Sequence, residues 1–441
     1  MLRLNWITTG TLLLGLTACP STDEESDPLP EQDPTTTGDP QPEPAEQCGE
    51  RSAPDATPEE LGINTRADLE VATALLGELS DEDDNVLLSP YSLRVAFGQV
   101  LAGTQGASHP EIEAALGFGE LGDRTHAVLN SVTQQLETRN FAGTEEQPEL
   151  IVRPINRSFF DVVYESSVAD TWLETVQSFY GTCIEVFDMN ADQAATLDHV
   201  NGWVADQTND LIPSLVKSLP EVAALIVVNA LYFKASWAEA FEESLTQDET
   251  FTTRAGESVS VEMMHAPLHA GSYSEAEGWQ AVSLPYSDGR LEMLVILPTA
   301  GTEAEFAASL GADALEAVVD GLEPSTVDLR LPKFDLMSTW ALRPALESLG
   351  MQAPFENEDF EGIASGMMPI FQVFHDVAIA IDEKGTEAAA ATAVVFGEDG
   401  TGEDPVADAT VVVDHTFYLV IRDREAGAVM FFARVGDPTA S

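Results

Sequence analysis

One α+β domain is the fold class this chain predicts, on three observations. Helix-period patterns crowd the first third. Near-continuous apolar runs rich in β-branched residues follow, and the chain closes on two such runs joined by the turn-forming "RDREAG". Separate blocks of helices and strands argue against alternating strand-helix-strand units and a parallel sheet.

Taken in order, Thr65 with Asp68 makes a capping-box pattern ahead of "LEVATALLGEL", whose Leu69, Ala72, Leu76 and Leu79 fall on one helical face. That spacing predicts a buried helix. In "NVLLSPYSLRVAFGQVLAG", Ser89 stands at a helix cap, Pro90 in the first turn and Gly103 at the stop. The run "ALIVVNALYFKASW" reads as a strand covered on both faces. Further strands are read in "LEMLVILP", "VDLRLPKFDL" and "FQVFHDVAIAI", and the closing pair in "HTFYLVIRDREAGAVMFFARV".

With 441 residues, 44% of them hydrophobic, the chain can bury a large core. It carries 76 Asp+Glu against 19 Lys+Arg, a formal net charge of -57. A surface of that sign repels nucleic acid and anionic headgroups, so no nucleic-acid partner is expected. The acidity is spread along the chain, as on a solvated surface, and marks no dedicated patch. At the start, Arg3 precedes the short apolar run "ITTGTLLLGLTA", and Leu16-Thr17-Ala18-Cys19 resembles a bacterial lipobox. The expectation is a signal peptide over 1–18, removed so that Cys19 becomes lipid-modified and anchors the exported protein to the bacterial envelope or cell surface. A plain secretory signal, with a secreted product, is the alternative. Residues 19–57, rich in Pro, Glu, Asp, Thr and Ser, read as a disordered tether, and 58–441 as the folded body. Cys48 and Cys183 either pair in an oxidising envelope or remain two free thiols.

Catalytic patterns are sparse. Ser214 to Lys217, "SLVK", fits the S-x-x-K of penicillin-recognising acyl enzymes, but the companion S-D-N and K-T-G motifs are missing. His265 and His269 have the spacing of helical metal ligands, yet Pro267 between them would disrupt such a helix. There is no G-x-S-x-G, no phosphate-cradling glycine loop and no cysteine cluster. Neither enzyme activity, a metal nor a cofactor is expected.

Several motifs, in order, resemble one family: Asn85 with "LLSPYSL", then "LAGTQGASHPEIEAALGF", "VNGWVADQTNDLI", "VVNALYFKASW", "LPKF", "DEKGTEAAAATA" and "FYLVIRD...GAVMFFARV". From about Pro58 to Pro438 the chain looks like a serpin. The resemblance implies an α+β serpin fold of three β-sheets with eight or nine helices and an exposed reactive-centre loop, here about 385–410. Thr416 and Ala433 depart from the proline and glycine usual at those positions.

The resemblance also implies a mechanism. A target protease attacks one bond of the loop, and the cut loop inserts as a new strand of the central sheet with the acyl-enzyme still attached. About fifteen residues at roughly 3.3 Å each would carry that enzyme some 50 Å. The hinge comprises Glu383, Gly385, Thr386, Glu387, Ala388, Ala389, Ala390, Ala391 and Thr392. Alternate residues of a strand share a face, so Thr386, Ala388, Ala390, Thr392 and Val394 would enter the core together, none of them charged or proline. Family spacing puts the bait fourteen residues after Gly385, at Asp399 before Gly400. A one-residue slip gives Glu398, and an earlier bond gives Phe396 or Val395. The implied partner is a serine protease selective for acidic residues, with chymotrypsin-like, elastase-like or papain-like enzymes as alternatives. Ser89, Ser92, Asn229, Trp237 and His375 match the family's switch region, where side-chain hydrogen bonds at Asn229 and His375 help hold the strands closed. The expected particle is a monomer. The acidic loop, with Glu398, Asp399, Glu403, Asp404 and Asp408, supports a second class: a serpin-fold binding or structural protein cleaved without trapping anything.

Overall fold

The computed structural model describes residues 50–79, 85–143, 149–386 and 406–440. Cys19, Cys48, the hinge positions 387–392 and all the bait candidates lie outside them. Ten α-helices are present among the described residues, including two of six and four residues, against the eight or nine implied. They are α1 (Pro58–Leu79), α2 (Pro90–Leu101), α3 (Ser108–Ala115), α4 (Thr125–Glu137), α5 (Asp170–Tyr180), α6 (Gln193–Gln207), α7 (Glu303–Ser309), α8 (Ala312–Asp320), α9 (Arg343–Ser348) and α10 (Ala353–Glu356). The strands are β1 (Val86–Leu88), β2 (Ile151–Asp161), β3 (Cys183–Phe187), β4 (Leu225–Ser236), β5 (Gln247–Thr252), β6 (Ser258–Ala276), β7 (Trp279–Pro285) and β8 (Leu291–Pro298). They continue with β9 (Glu323–Pro332), β10 (Phe334–Ala341), β11 (Phe374–Ile381), β12 (Gly385–Thr386), β13 (Ala409–Val412), β14 (Phe417–Asp423) and β15 (Ala428–Val435).

Helix α1 starts well before the expected capping box. The box that forms is Thr57 with Glu60: the Glu60 carboxylate accepts from the Thr57 N–H at 2.8 Å, and the Thr57 hydroxyl accepts from the Glu60 N–H at 3.2 Å. Thr65 lies inside the helix and donates back to the Leu61 carbonyl, while Asp68 is buried in an ion pair with Arg94. Leu69, Ala72, Leu76 and Leu79 are all buried. Helix α2 starts where expected, with the Ser89 hydroxyl accepting from the Ser92 N–H and Pro90 in the first turn.

Among the described residues two hydrogen-bonded sheets form where three are implied. Six strands run β10-β11-β12-β4-β2-β3; the other nine run β1-β15-β14-β8-β7-β6-β9-β13, with β5 on β6. The merger comes from β6, whose 19 residues pair with β5, β9 and β7 in turn, shifting register between Ala266 and His269 around Pro267. His265 and His269 therefore stand on a strand, each with its own partner: the Asp328 carboxylate for His265 and the Ser283 carbonyl for His269. The main core lies between the sheets and α1, α2 and α4, and a second, smaller one lies under α6.

The sequence assigns 51–57 to the tether, but this stretch is seated on α4 and α5. The Ser52 N–H donates to the Ser178 carbonyl, Asn130 and Gln134 donate to the Ser52 carbonyl, and Arg124 pairs with Asp55. The ordered body thus begins ahead of Pro58. Cys183, at the start of β3, is disulfide-bonded, which excludes the free-thiol reading for it. Among the described residues no helix is long and apolar enough to cross a membrane.

Candidate functional site

The site is built around the short turn between β11 and β12. The Asp382 carboxylate accepts from the N–H groups of Lys384 and Gly385, and the Asp382 N–H donates to the Gly385 carbonyl at 3.0 Å, closing the chain back on itself. Gly385 is required by close approach: a Cβ there would sit 2.1 Å from the Ala235 carbonyl oxygen and 2.7 Å from the Ser236 Cα, both backbone atoms that cannot give way. The two residues of β12 then pair on both sides, Thr386 with Ile381 of β11 and with Ala235 of β4. Below this point β4 and β11 lie on the two sides of the hinge with no ladder between them among the described residues.

The charged residues around the turn, Glu383 and Lys384, are well anchored. The buried Glu383 carboxylate accepts from the Thr246 hydroxyl at 2.8 Å and pairs with Lys333 at 3.2 Å. Burial works to raise its titration, but hydrogen bonds with its own backbone, Thr246 and Lys333 outweigh this and hold it below the ordinary carboxylate value. Lys384 reaches Glu243 at 3.4 Å. Trp237 donates its indole N–H to the Asp382 carbonyl and stacks on Tyr286 at 4.7 Å between ring centroids. Tyr286, whose phenol is pushed up by burial, shares a 2.7 Å hydrogen bond with the Thr386 hydroxyl. The hinge threonine is thereby 1% exposed, with its one polar atom satisfied.

Lower in the sheet, the polar residues of the switch region meet α2. Asn229 and His375 each have a separate hydrogen-bond partner. Asn229 donates to the Asn156 side chain at 2.7 Å and keeps its Oδ1 buried without a partner, while the backbone N–H of Ser89 donates to His375 Nε2 at 3.0 Å. The Ser92 hydroxyl is also buried and unpartnered. These groups border a largely apolar cavity of about 210 Å³ between α2, the lower ends of β4 and β11, and the segment after α6.

Since His375 Nε2 accepts a hydrogen bond, the ring must be neutral, and burial depresses its pKa to about 4. A histidine depressed below its unfolded value near 6.5 contributes stability that is complete above about pH 6.5 and is lost as pH falls through about 4. Over that window the His375 contribution amounts to about 3 kcal/mol at most. Acid titration of the melting temperature should therefore fall more steeply for the wild type than for His375→Gln; parallel curves would remove His375 as the cause.

Set beside known proteins, residues 66–438 match the family model described as serpin (serine protease inhibitor). An uncharacterised serpin-like protein of Thermococcus kodakarensis is 33% identical over 369 residues, 82% of this chain and 83% of that one. The fold is similar to tengpin, a thermophilic serpin solved in its native state, with a TM-score of 0.75 and 23% identity over 88% of this chain and 97% of that one. It is similar also to human thyroxine-binding globulin, solved in complex with thyroxine, with a TM-score of 0.73 and 26% identity over 86% and 100% of the two chains. The chain belongs to the serpin family, whose members are generally serine protease inhibitors and not enzymes.

Two groups at this site escape a sequence reading. Asp382 opens the motif "DEKGTEAAAATA", which gives it no role, yet it shapes the turn; Tyr286, which receives the hinge, sits in no pattern that marks it.

Proposed function

We propose that this chain is a suicide-substrate inhibitor of serine endopeptidases, held at the bacterial surface through a lipid on Cys19. The observation that carries the reading is the two-residue hinge strand. Gly385 and Thr386 sit between β4 and β11, at the head of a boundary with no ladder below it among the described residues. If the register continued, Ala388 would fall between Phe233 and Ile379, and Ala390 between Leu231 and Val377, all core side chains. Small residues suit those crowded levels. Thr392 would then reach the level of Asn229 and His375, where a hydroxyl meets the unpartnered Asn229 Oδ1.

In this reading the serine of the target attacks the carbonyl carbon of Asp399. The ester forms as the bond to Gly400 breaks, and the amine of Gly400 leaves with the proton. Insertion of the freed loop then removes the acyl-enzyme before water can hydrolyse it. Incubating the chain with acid-selective, chymotrypsin-like and elastase-like serine proteases tests this. A covalent adduct resistant to denaturation, with its bait residue identified by intact mass, is expected. Clean cleavage by every enzyme and no adduct would favour a binding protein that keeps the scaffold. Asp399→Ala should slow inhibition of the acid-selective enzyme by about a hundredfold or more, because a basic specificity pocket is left with an unpaired cation. An unchanged rate would move the bait to Glu398, Phe396 or Val395.

A further inference from the structure

The lysine of the Ser214-x-x-Lys217 motif is placed with care. Helix α6 lies on the outer face of the six-stranded sheet, with Val200 and Val204 in the same small core as Val228, Ala230 and Tyr232 of β4 and Ile155 and Phe159 of β2. The segment that follows is fastened to the helix. Asn201 accepts from the N–H groups of Leu215 and Val216 at 2.9 and 2.8 Å, and donates to the Val216 carbonyl at 2.9 Å. Leu215 and Val216 complete that core, and Phe374 at the start of β11 packs against it. The very next residue, Lys217, leaves the β4 side and pairs with Asp376 of β11 at 2.8 Å.

Asp376 has little else to hold it. Its carboxylate side chain is 5% exposed, and its Oδ1 is buried with no hydrogen-bond partner. Thr339, its neighbour across β10, is the other group that favours the charged form, against burial that works to neutralise it. A carboxylate placed this way is costly unless Lys217 stays in contact.

We infer that Lys217 and Asp376 form a latch that ties α6 and β4 to β11 across the sheet boundary and sets how readily that boundary opens. The inference rests on the reading that the loop inserts between β4 and β11. Admitting one more strand moves neighbours apart by about 4.8 Å, which a 2.8 Å contact does not survive without rebuilding the segment after α6. The pair is positioned to act on the timing of insertion and touches neither the loop nor the target protease.

The test uses the full chain in four forms: wild type, Lys217→Gln, Asp376→Asn and the swap Lys217→Asp with Asp376→Lys. The loop is cut with a protease that forms no adduct, and the rate at which heat resistance appears is followed, alongside the melting temperature of uncut protein. Asp376→Asn removes the pair without stranding a buried charge, and it should raise the insertion rate about tenfold, equivalent to about 1.4 kcal/mol. Lys217→Gln should also accelerate insertion, and the swap should return it toward wild type. Melting temperatures that fall with unchanged insertion rates would reduce the pair to a structural contact and overturn the latch, as would a swap no slower than the single variants. A wild type that gains no heat resistance on cutting would overturn the insertion reading as well; normal gain with unaffected variants overturns the latch alone.

Discussion

Thr386→Arg is expected to convert the protein from trap to substrate: the loop is still cut, but no adduct accumulates and cutting brings no heat resistance. Thr386 is 1% exposed, its hydroxyl is bonded to Tyr286, and it lies between Ala235 and Ile381. An arginine here would push an ionised group against Tyr286 and Trp237, and Glu383, three residues back, is already engaged by Thr246 and Lys333. An unpaired buried charge costs several kcal/mol, so the arginine swings outward and keeps the hinge out of the sheet. The competition between insertion and hydrolysis of the acyl-enzyme is then lost, and the ratio of inhibitor consumed to enzyme trapped rises steeply. The measurement is that ratio, with the cut loop's carboxyl end read by mass. Undiminished trapping by the variant would sink the insertion mechanism. Thr386→Ser, which keeps the hydroxyl, should behave as wild type.

How much of this was legible in advance depends on what kind of signal each residue leaves. Of the hinge, Glu383, Gly385 and Thr386 fall within the described residues, and the last two form a two-residue strand between β4 and β11; the small uncharged side chains expected at alternate positions beyond Thr386 lie outside the described residues. Ser89 and Pro90 were readable because helix starts follow local rules that tertiary contacts seldom override. The start of α1 was misplaced because two capping boxes occur close together, and the choice between Thr57 and Thr65 is made by burial. Asp68 is needed in the core beside Arg94, so it cannot also serve an exposed first turn. The polar segment 51–57 left no periodic trace, since its contacts to α4 and α5 run largely through its own backbone groups. The pairing of Lys217 with Asp376 spans a separation of 159 residues, and nothing in either neighbourhood announces it.

The largest expected effect on stability lies away from the loop, at Asp68. Its carboxylate meets the Arg94 guanidinium at 2.6 Å, with side chains 1% and 0% exposed, and also accepts from the Val429 N–H at 3.0 Å. Arg94 donates further to the Leu116 carbonyl and the Asn64 side chain, lies 5.1 Å from the centre of the Phe118 ring, and has a buried Nη2 without a partner. Asn64 in turn donates to the Gly427 carbonyl, so α1, α2 and the β14–β15 hairpin converge on one ion pair. Asp68→Ala leaves a fully buried cation that already lacks one hydrogen-bond partner, together with an orphaned N–H at Val429. Breaking a buried pair by removing one member costs about 3–5 kcal/mol, a large share of the 5–15 kcal/mol typical of a folded domain. The urea midpoint should fall accordingly, while the rate of protease association at low temperature stays unchanged, because the hinge and its receiving strands are untouched. The double variant Asp68→Leu with Arg94→Met separates the two explanations. If the loss comes from a stranded charge, removing both members restores most of the stability; if it comes from lost packing where α1, α2 and the hairpin meet, the double variant is at least as weak as the single one.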